Sequence, residues 1–220
     1  MIKLIIFDCD GTIINSEIIA TKVFPKVWAQ MGVEISEEFF LCNFVGVSNG
    51  APFVREFLTQ LPPDAMKIAD QKLDEELELN LHPVDGIPSL LNWLRPRKEI
   101  CVASNSSLPY LQRVLAKTDL ISLFSEKIFS AHQVERPKPS PDLFLYAAQK
   151  MGVSPEECLV IEDSVSGIKA AKAAGTQVVG FMGGLHFKAG IKELDNRLLS
   201  AGANYYVYGA DELKLILEKI

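Results

Sequence analysis

The run Asp8-Cys9-Asp10-Gly11-Thr12 follows directly on the apolar residues Leu4, Ile5, Ile6 and Phe7. Two carboxylates thus stand one residue apart, just past the end of an apolar stretch. Acids this close repel one another and lose solvation unless a cation or a phosphate group gives them a task. Three later clusters sit at strand ends or in loops as this one does. Cys101-Val102-Ala103 leads into Ser104-Asn105-Ser106, which offers hydroxyls, an amide and backbone N–H groups at the start of a helix, a setting that suits an anion. Lys138 stands among Pro137, Pro139 and Pro141, where a stiff backbone presents one cation with little ordering entropy to lose. Leu159-Val160-Ile161 leads into Glu162-Asp163-Ser164, a second acidic pair. Taken singly, each has a plainer reading. Asp10-Gly11 serves as a turn, the serines as helix caps, and Lys138 as an exposed loop lysine. Taken in order they supply acid pair, hydroxyl, lysine and acid pair, a set able to bind phosphate together with a hard cation. Magnesium fits, because it takes oxygen ligands and sits well between carboxylates and phosphate.

Such a pocket needs a frame that gathers strand ends. An aliphatic run like 4–7 reads as a strand covered on both faces, the kind found in parallel sheets, where ligands collect at the carboxyl ends of the strands. Further β-prone runs occur at 99–103, 127–129, 158–161, 177–181 and 204–207. Helical spacing of apolar residues separates them at 108–116, 142–151, 165–174 and 211–218, with Gly152 and Gly175 at expected helix stops. This alternation predicts an α/β fold with a doubly wound, mainly parallel sheet. The interval 16–83 breaks the alternation. Ile18, Ile19, Val23, Phe24, Val27, Trp28 and Met31 mark one helical face, with Pro25 expected to kink or start that helix. Phe53, Val54, Phe57, Leu58 and Leu61 mark a second face, and Leu73 and Leu77 a third. The expected organisation is an α/β core of residues 1–14 and 84–220 with an all-helical insert at 15–83, joined by linkers near 14–17 and 82–86.

Composition sets the remaining bounds. The 220 residues, 48% of them apolar, can form one large domain or a domain with an insert. A net charge of −6 without a basic block argues against nucleic acid or a membrane surface as a partner. No apolar run approaches membrane-spanning length, so a cytoplasmic protein is expected. Cys9, Cys42, Cys101 and Cys158 lack C-x-x-C spacing and read as buried thiols. His82, His132 and His186 lack paired metal-ligand spacing, which argues against zinc.

The ordered motifs resemble the haloacid dehalogenase-like superfamily, in its branch with a helical cap inserted after the first strand. The likeness rests on Asp8-x-Asp10-Gly11-Thr12, Ser104, Lys138 and Glu162-Asp163 and spans nearly the whole chain. It implies a Rossmann-like core in which Asp8 is the nucleophile that forms an aspartyl phosphate and Asp10 the general acid and then base. It also implies that Thr12 helps hold Asp10, and that Ser104, Lys138 and the backbone around Asn105 bind the phosphoryl group. Magnesium is then held by Asp8, the Asp10 backbone carbonyl and Asp163, with Glu162 direct or through water.

The family's reactions differ, so residues must choose among them. A halide needs no protonation and the family's dehalogenases lack the second aspartate, so Asp10 argues against dehalogenation. Phosphonatases use a cap lysine and also lack that aspartate. The β-phosphoglucomutase type carries Gly-Val-Ser-Arg in its cap, whereas this chain has Gly46-Val47-Ser48-Asn49. Asparagine cannot supply arginine's bidentate, charged grip on a second phosphate. The expected function is therefore a magnesium-dependent phosphatase for a small phosphorylated metabolite, a sugar or sugar-acid phosphate. A mutase is the alternative, and a catalytically idle binding protein the third reading. Gly46, Val47, Ser48 and Asn49 are the candidate substrate contacts from the cap, and Gly183, Gly184 and His186 are expected to flank the entrance. A monomer is the expected state, with an oligomer left open. The effect of Asn15, where relatives often have aspartate, is not legible.

Overall fold

The computed structural model describes residues 1–47 and 51–220. Its apolar runs form a six-stranded sheet of β1 (Leu4–Phe7), β2 (Glu99–Ser104), β3 (Ile128–Ser130), β4 (Cys158–Glu162), β5 (Gln177–Phe181) and β6 (Tyr205–Val207). The strands lie in the order β3-β2-β1-β4-β5-β6 and every neighbouring pair is parallel. The chain leaves β1 for β2 on one side and later returns for β4 on the other, so strand order reverses at β1. Sheets of this kind gather ligands at that reversal, beyond the carboxyl ends of the strands. Register brings the chemistry level: Phe7 pairs with Val102 and with Ile161, and Asp8 extends the ladder by donating its N–H to the Ile161 carbonyl at 2.9 Å.

The helices are α1 (Ser16–Gln30), α2 (Glu37–Asn43), α3 (Pro52–Thr59), α4 (Ala65–Asn80), α5 (Ile87–Leu94), α6 (Leu108–Lys117), α7 (Ile121–Phe124), α8 (Asp142–Met151), α9 (Val165–Ala173), α10 (Lys192–Leu199) and α11 (Ala210–Leu217). Strand side chains alternate between the faces of the sheet. Ile5 and Phe7 join Leu90, Leu94, Leu111, Leu115 and Leu213 in a cluster with α5, α6 and α11. Leu4 and Ile6 pack on the opposite face with Phe144, Ala147, Ile168 and Ala171 of α8 and α9. Both faces are covered, which is why β1 carries no polar residue.

Helices α1 to α4 occupy the stretch between β1 and α5. They have their own apolar cluster, in which Val23, Phe24, Val27 and Trp28 of α1 meet Phe40, Ala65 and Ala69. Phe24 stacks on Phe40 with ring centroids 5.3 Å apart, and Trp28 approaches Phe40 edge-on at 5.9 Å. Pro25 lies inside α1 and does not start it. The two passages of chain into and out of this segment pair with each other. Asn15 donates its N–H to the His82 carbonyl at 3.0 Å, and Val84 donates to the Ile13 carbonyl at 2.8 Å. Among the described residues, no helix is long and apolar enough to cross a membrane. Cys9, Cys42, Cys101 and Cys158 are free and buried.

Candidate active site

A cavity of about 160 Å³ lies at the carboxyl ends of β1, β2 and β4, and Asp8, Asp10, Ser104, Asn105, Lys138, Glu162 and Asp163 all line it. Phe44, Gly46 and Val47, which follow α2, line its other side together with Glu17. Ser48 and Asn49 lie outside the described residues. The loop 44–47 and the end of α2 before it are held toward α9 and α10 by main-chain acceptors. Ser166 of α9 donates to the Gly46 carbonyl at 2.7 Å, and Arg197 of α10 donates to the Cys42 carbonyl.

Lys138 organises the centre. Only 2% exposed, it donates from Nζ to Asp8 Oδ1 at 2.6 Å, to Glu162 Oε1 at 2.7 Å and to the Ala103 carbonyl at 2.8 Å. All three ammonium hydrogens therefore have acceptors, and the Phe144 ring lies 4.8 Å from Nζ. Burial opposes the charge on this lysine, but the carboxylates of Asp8 and Glu162 outweigh it and hold its pKa above the ordinary value. The opposite holds for Asp8. Burial raises its pKa well above the usual carboxylate range, Lys138 offsets part of that, and Glu162, Asp163 and Asp10 add to the rise. Lys138 engages one Asp8 oxygen, and the other has no hydrogen-bond donor among the described residues.

Asp10 sits in a ring of hydroxyls. Its Oδ1 accepts from Ser16 at 2.7 Å and Tyr110 at 2.8 Å, and its Oδ2 from Ser106 at 2.7 Å and, more weakly, Ser104 at 3.4 Å. Burial and then the negative charge of Asp10 raise the Tyr110 pKa well above its ordinary value, so the phenol stays a donor. Ser107, not Ser104 or Ser106, caps α6 by accepting from the Tyr110 N–H at 3.4 Å, which leaves the two earlier hydroxyls to face Asp10.

Asp163 is set by the first loop and by the segment after β5. Thr12 donates to its Oδ1 at 3.1 Å, and His186 Nε2 lies 3.1 Å from its Oδ2. Gly11, at φ +75°, is required here twice over. The conformation favours glycine, and a Cβ would lie 1.9 Å from Asp163 Oδ2. Gly167 has a similar duty in the first turn of α9, because a Cβ there would meet the Glu162 carboxyl at 1.8 Å.

Several expected roles are redrawn by this geometry. Thr12, expected beside Asp10 and the phosphate, is fully buried and spends its hydroxyl on Asp163. Asn105, whose backbone was expected to assist with phosphate, lines the cavity and commits its side chain to the Lys138 loop. Its Oδ1 accepts from the Lys138 N–H at 3.0 Å and its Nδ2 donates to the Lys138 carbonyl at 3.4 Å, which fastens the proline-rich loop to the end of β2. Glu162 has both oxygens engaged, one by Lys138 and the other by the Ser164 N–H at 3.0 Å and hydroxyl at 2.8 Å. His186 does not flank an entrance, for it is 1% exposed and lies tilted against the Phe187 ring with centroids 4.3 Å apart. Ser106, expected to offer its hydroxyl to an anion, turns it to Asp10 instead. Ser16 and Tyr110 had no expected role, and of these two Tyr110, three residues past Ser107 in a helix starting at a strand end, carried the clearer sequence signal.

Residues 2–175 match the family model described as haloacid dehalogenase-like hydrolase. The fructose-1-phosphate phosphatase YqaB of Escherichia coli is 31% identical over 182 residues, covering 80% of this chain and 94% of that protein. The 6-phosphogluconate phosphatase of the same organism is 27% identical over 191 residues, 85% of this chain and 86% of its own. Among solved structures, a HAD family hydrolase from Deinococcus radiodurans with bound phosphate and sodium superposes with a TM-score of 0.81 at 29% identity, covering 99% of this chain and 96% of that one.

Proposed function

Since the chain belongs to the haloacid dehalogenase-like hydrolases, we propose that it is a phosphatase for the phosphate monoester of a small metabolite, in the class of sugar phosphates. The observation that carries this reading is Lys138, a buried ammonium 2.6 Å from Asp8 Oδ1, with Asp10 one residue along and ringed by hydroxyl donors. A carboxylate attacks a phosphate dianion only where nearby cations neutralise the charge between them. Relatives with phosphatase names and a related hydrolase with bound phosphate support it.

In this mechanism Asp8 attacks phosphorus through a carboxylate oxygen, and an aspartyl phosphate forms as the ester P–O bond breaks. Asp10 gives its proton to the departing alkoxide. As a carboxylate it then takes a proton from the water that attacks the same phosphorus, releasing inorganic phosphate and restoring Asp8. Ser104 and the backbone N–H groups after it hold the phosphoryl oxygens, and Ser16, Ser106 and Tyr110 aim Asp10. Lys138 neutralises charge on the phosphoryl group, with Glu162 as its anchor.

The donor set fits magnesium: Asp8, Glu162 and Asp163 each bring a carboxylate oxygen within 4.8 Å of the others, all hard ligands. Asp8, Asp163 and the Asp10 carbonyl are the proposed ligands, since both oxygens of Glu162 are already engaged. Magnesium bound there supplies positive charge that lowers the repulsion between Asp8 and a phosphate dianion. Residues 15–83 act as a cap on a core of 1–14 and 84–220, with a separate apolar cluster and two paired passages of chain in support. The cap excludes bulk water during attack.

The test is phosphate release from p-nitrophenyl phosphate and a panel of phosphorylated metabolites, with and without magnesium. No release from any of them would sink the proposal. Isomerised hexose phosphate appearing faster than free phosphate would replace it with a mutase.

A further inference from the structure

Beside Asp10 a second cavity, of about 340 Å³, continues from the first into the helical segment, and Asp10, Glu17, Phe44 and Ser106 line both. Its deep wall is apolar, formed by Trp28, Phe40, Leu58 and Met66. Its polar groups beyond Asp10 are unequal in sign. Glu17, in the first turn of α1, and Asp70 of α4 contribute carboxyls, whereas none of the described lining residues is lysine, arginine or histidine. Ser48, Asn49 and Gly50 carry no basic side chain either. Neither the Glu17 nor the Asp70 carboxyl has an ion-pair partner among the described residues, so no fixed cation offsets them. Trp28, 1% exposed, adds a donor, Nε1, that has no hydrogen-bond partner.

An ester whose phosphorus stands at Asp8 must extend its alcohol past Asp10, which is where this cavity begins. Carboxyls accept hydrogen bonds from hydroxyls or from an ammonium, and aromatic faces cover C–H surfaces or cations. A second anion, by contrast, would meet carboxyl oxygens and find no lysine, arginine or histidine among the described lining residues to neutralise it. We infer that the cavity bounded by Glu17, Asp70 and Trp28 receives the alcohol part of the ester and rejects a leaving group that bears a second negative charge. Neutral polyhydroxylated alcohols enter it, an amine is accepted, and a carboxylate or second phosphate is excluded. This rests on the phosphatase reading and narrows its substrate class to esters of uncharged or basic sugars and polyols.

The experiment compares three six-carbon 6-phosphates of similar length in the magnesium-loaded enzyme: 6-phosphogluconate, glucitol 6-phosphate and glucosamine 6-phosphate. The expected kcat/KM for 6-phosphogluconate is at least ten-fold below those of the other two, mainly through KM, and the gap narrows several-fold in Glu17→Gln and in Asp70→Asn. Asp70 is solvent-exposed, so its variant keeps the test alive if Glu17→Gln fails to fold. Equal or faster hydrolysis of 6-phosphogluconate overturns the inference, as does a gap that neither variant changes. Cleavage of p-nitrophenyl phosphate in parallel separates the two levels. If it and all three esters resist hydrolysis, the phosphatase reading fails. Thermal shifts of Asp8→Asn with each ester then still read the charge order of the cavity.

Discussion

Asn15 donates from Nδ2 to the Pro83 carbonyl at 3.2 Å while its Oδ1 accepts from the Leu185 N–H at 2.9 Å. One side chain thus ties the outgoing passage of chain to the returning one and to the segment after β5. Both halves of an amide are in use, and an aspartate could satisfy only the acceptor half. Asn15→Asp, at a position 6% exposed, is expected to cost about 1–3 kcal/mol through a lost donor and a buried charge facing a carbonyl. Thermal unfolding reads this as a loss of about 2–4 °C per kcal/mol. An unchanged melting temperature would show that the amide is dispensable.

Lys138→Met leaves Asp8 and Glu162 buried without their cation. Removing one partner of such a set costs about 3–5 kcal/mol in stability, and the catalytic loss is expected to exceed about 100-fold, or roughly 2.7 kcal/mol in the barrier. Denaturant titration and initial rates on p-nitrophenyl phosphate measure the two separately. A variant that kept wild-type kcat would remove Lys138 from the mechanism.

Asp8→Asn should abolish turnover yet stabilise the metal-free protein at neutral pH. Burial raises the Asp8 pKa in the fold, so the native state holds its proton more tightly than the unfolded chain does. The stability associated with that proton is present below the unfolded pKa and is lost as pH rises through the folded one. The asparagine form escapes the loss. Melting curves from pH 4 to pH 8 in chelator are expected to show the variant gaining on the wild type as pH rises, and the reverse trend would contradict the assignment.

Ser106→Ala and Tyr110→Phe each remove one donor to Asp10. Hydrogen bonds to a charged group are worth about 1.5–3 kcal/mol, so kcat should fall about 10- to 100-fold in each, with KM little changed. A change confined to KM would mean that these hydroxyls meet the substrate and do not orient Asp10.

Chelator is expected to abolish phosphate release and magnesium to restore it. Magnesium should also raise the melting temperature of the wild type more than that of Asp163→Asn, as binding to the native state alone requires. Equal shifts in both proteins would place the ion elsewhere.

Much of this arrangement was legible because it depends on where strands end. Asp8, Lys138, Glu162 and Asp163 follow apolar runs or stand in a rigid loop, and the strands fell within a residue or so of their expected bounds. The details that escaped depend on which way a side chain turns once the chain is folded. Thr12 is four residues from Asp8 and two from Asp10, yet the left-handed turn at Gly11 aims it at Asp163 across the sheet. Tyr110 reaches Asp10 only because α6 packs at a particular rotation on the sheet. Helices α2 and α10 bury too little at helical spacing to stand out, consecutive Phe40, Leu41 and Cys42 in one and Leu198 alone in the other. Asn15 became intelligible only once Pro83 and Leu185, 68 and 170 residues away, were seen beside it.

The two tethers that fasten the end of α2 and the loop after it to α9 and α10 share a feature with consequences for how such proteins diverge. Ser166 and Arg197 supply the donors, and the acceptors are the main-chain carbonyls of Gly46 and Cys42. No substitution at positions 42 or 46 can delete a carbonyl. The side chains of the helical segment around the cavity are therefore free to change while these two attachments persist, and new substrates become reachable without reinventing the way that segment is fastened.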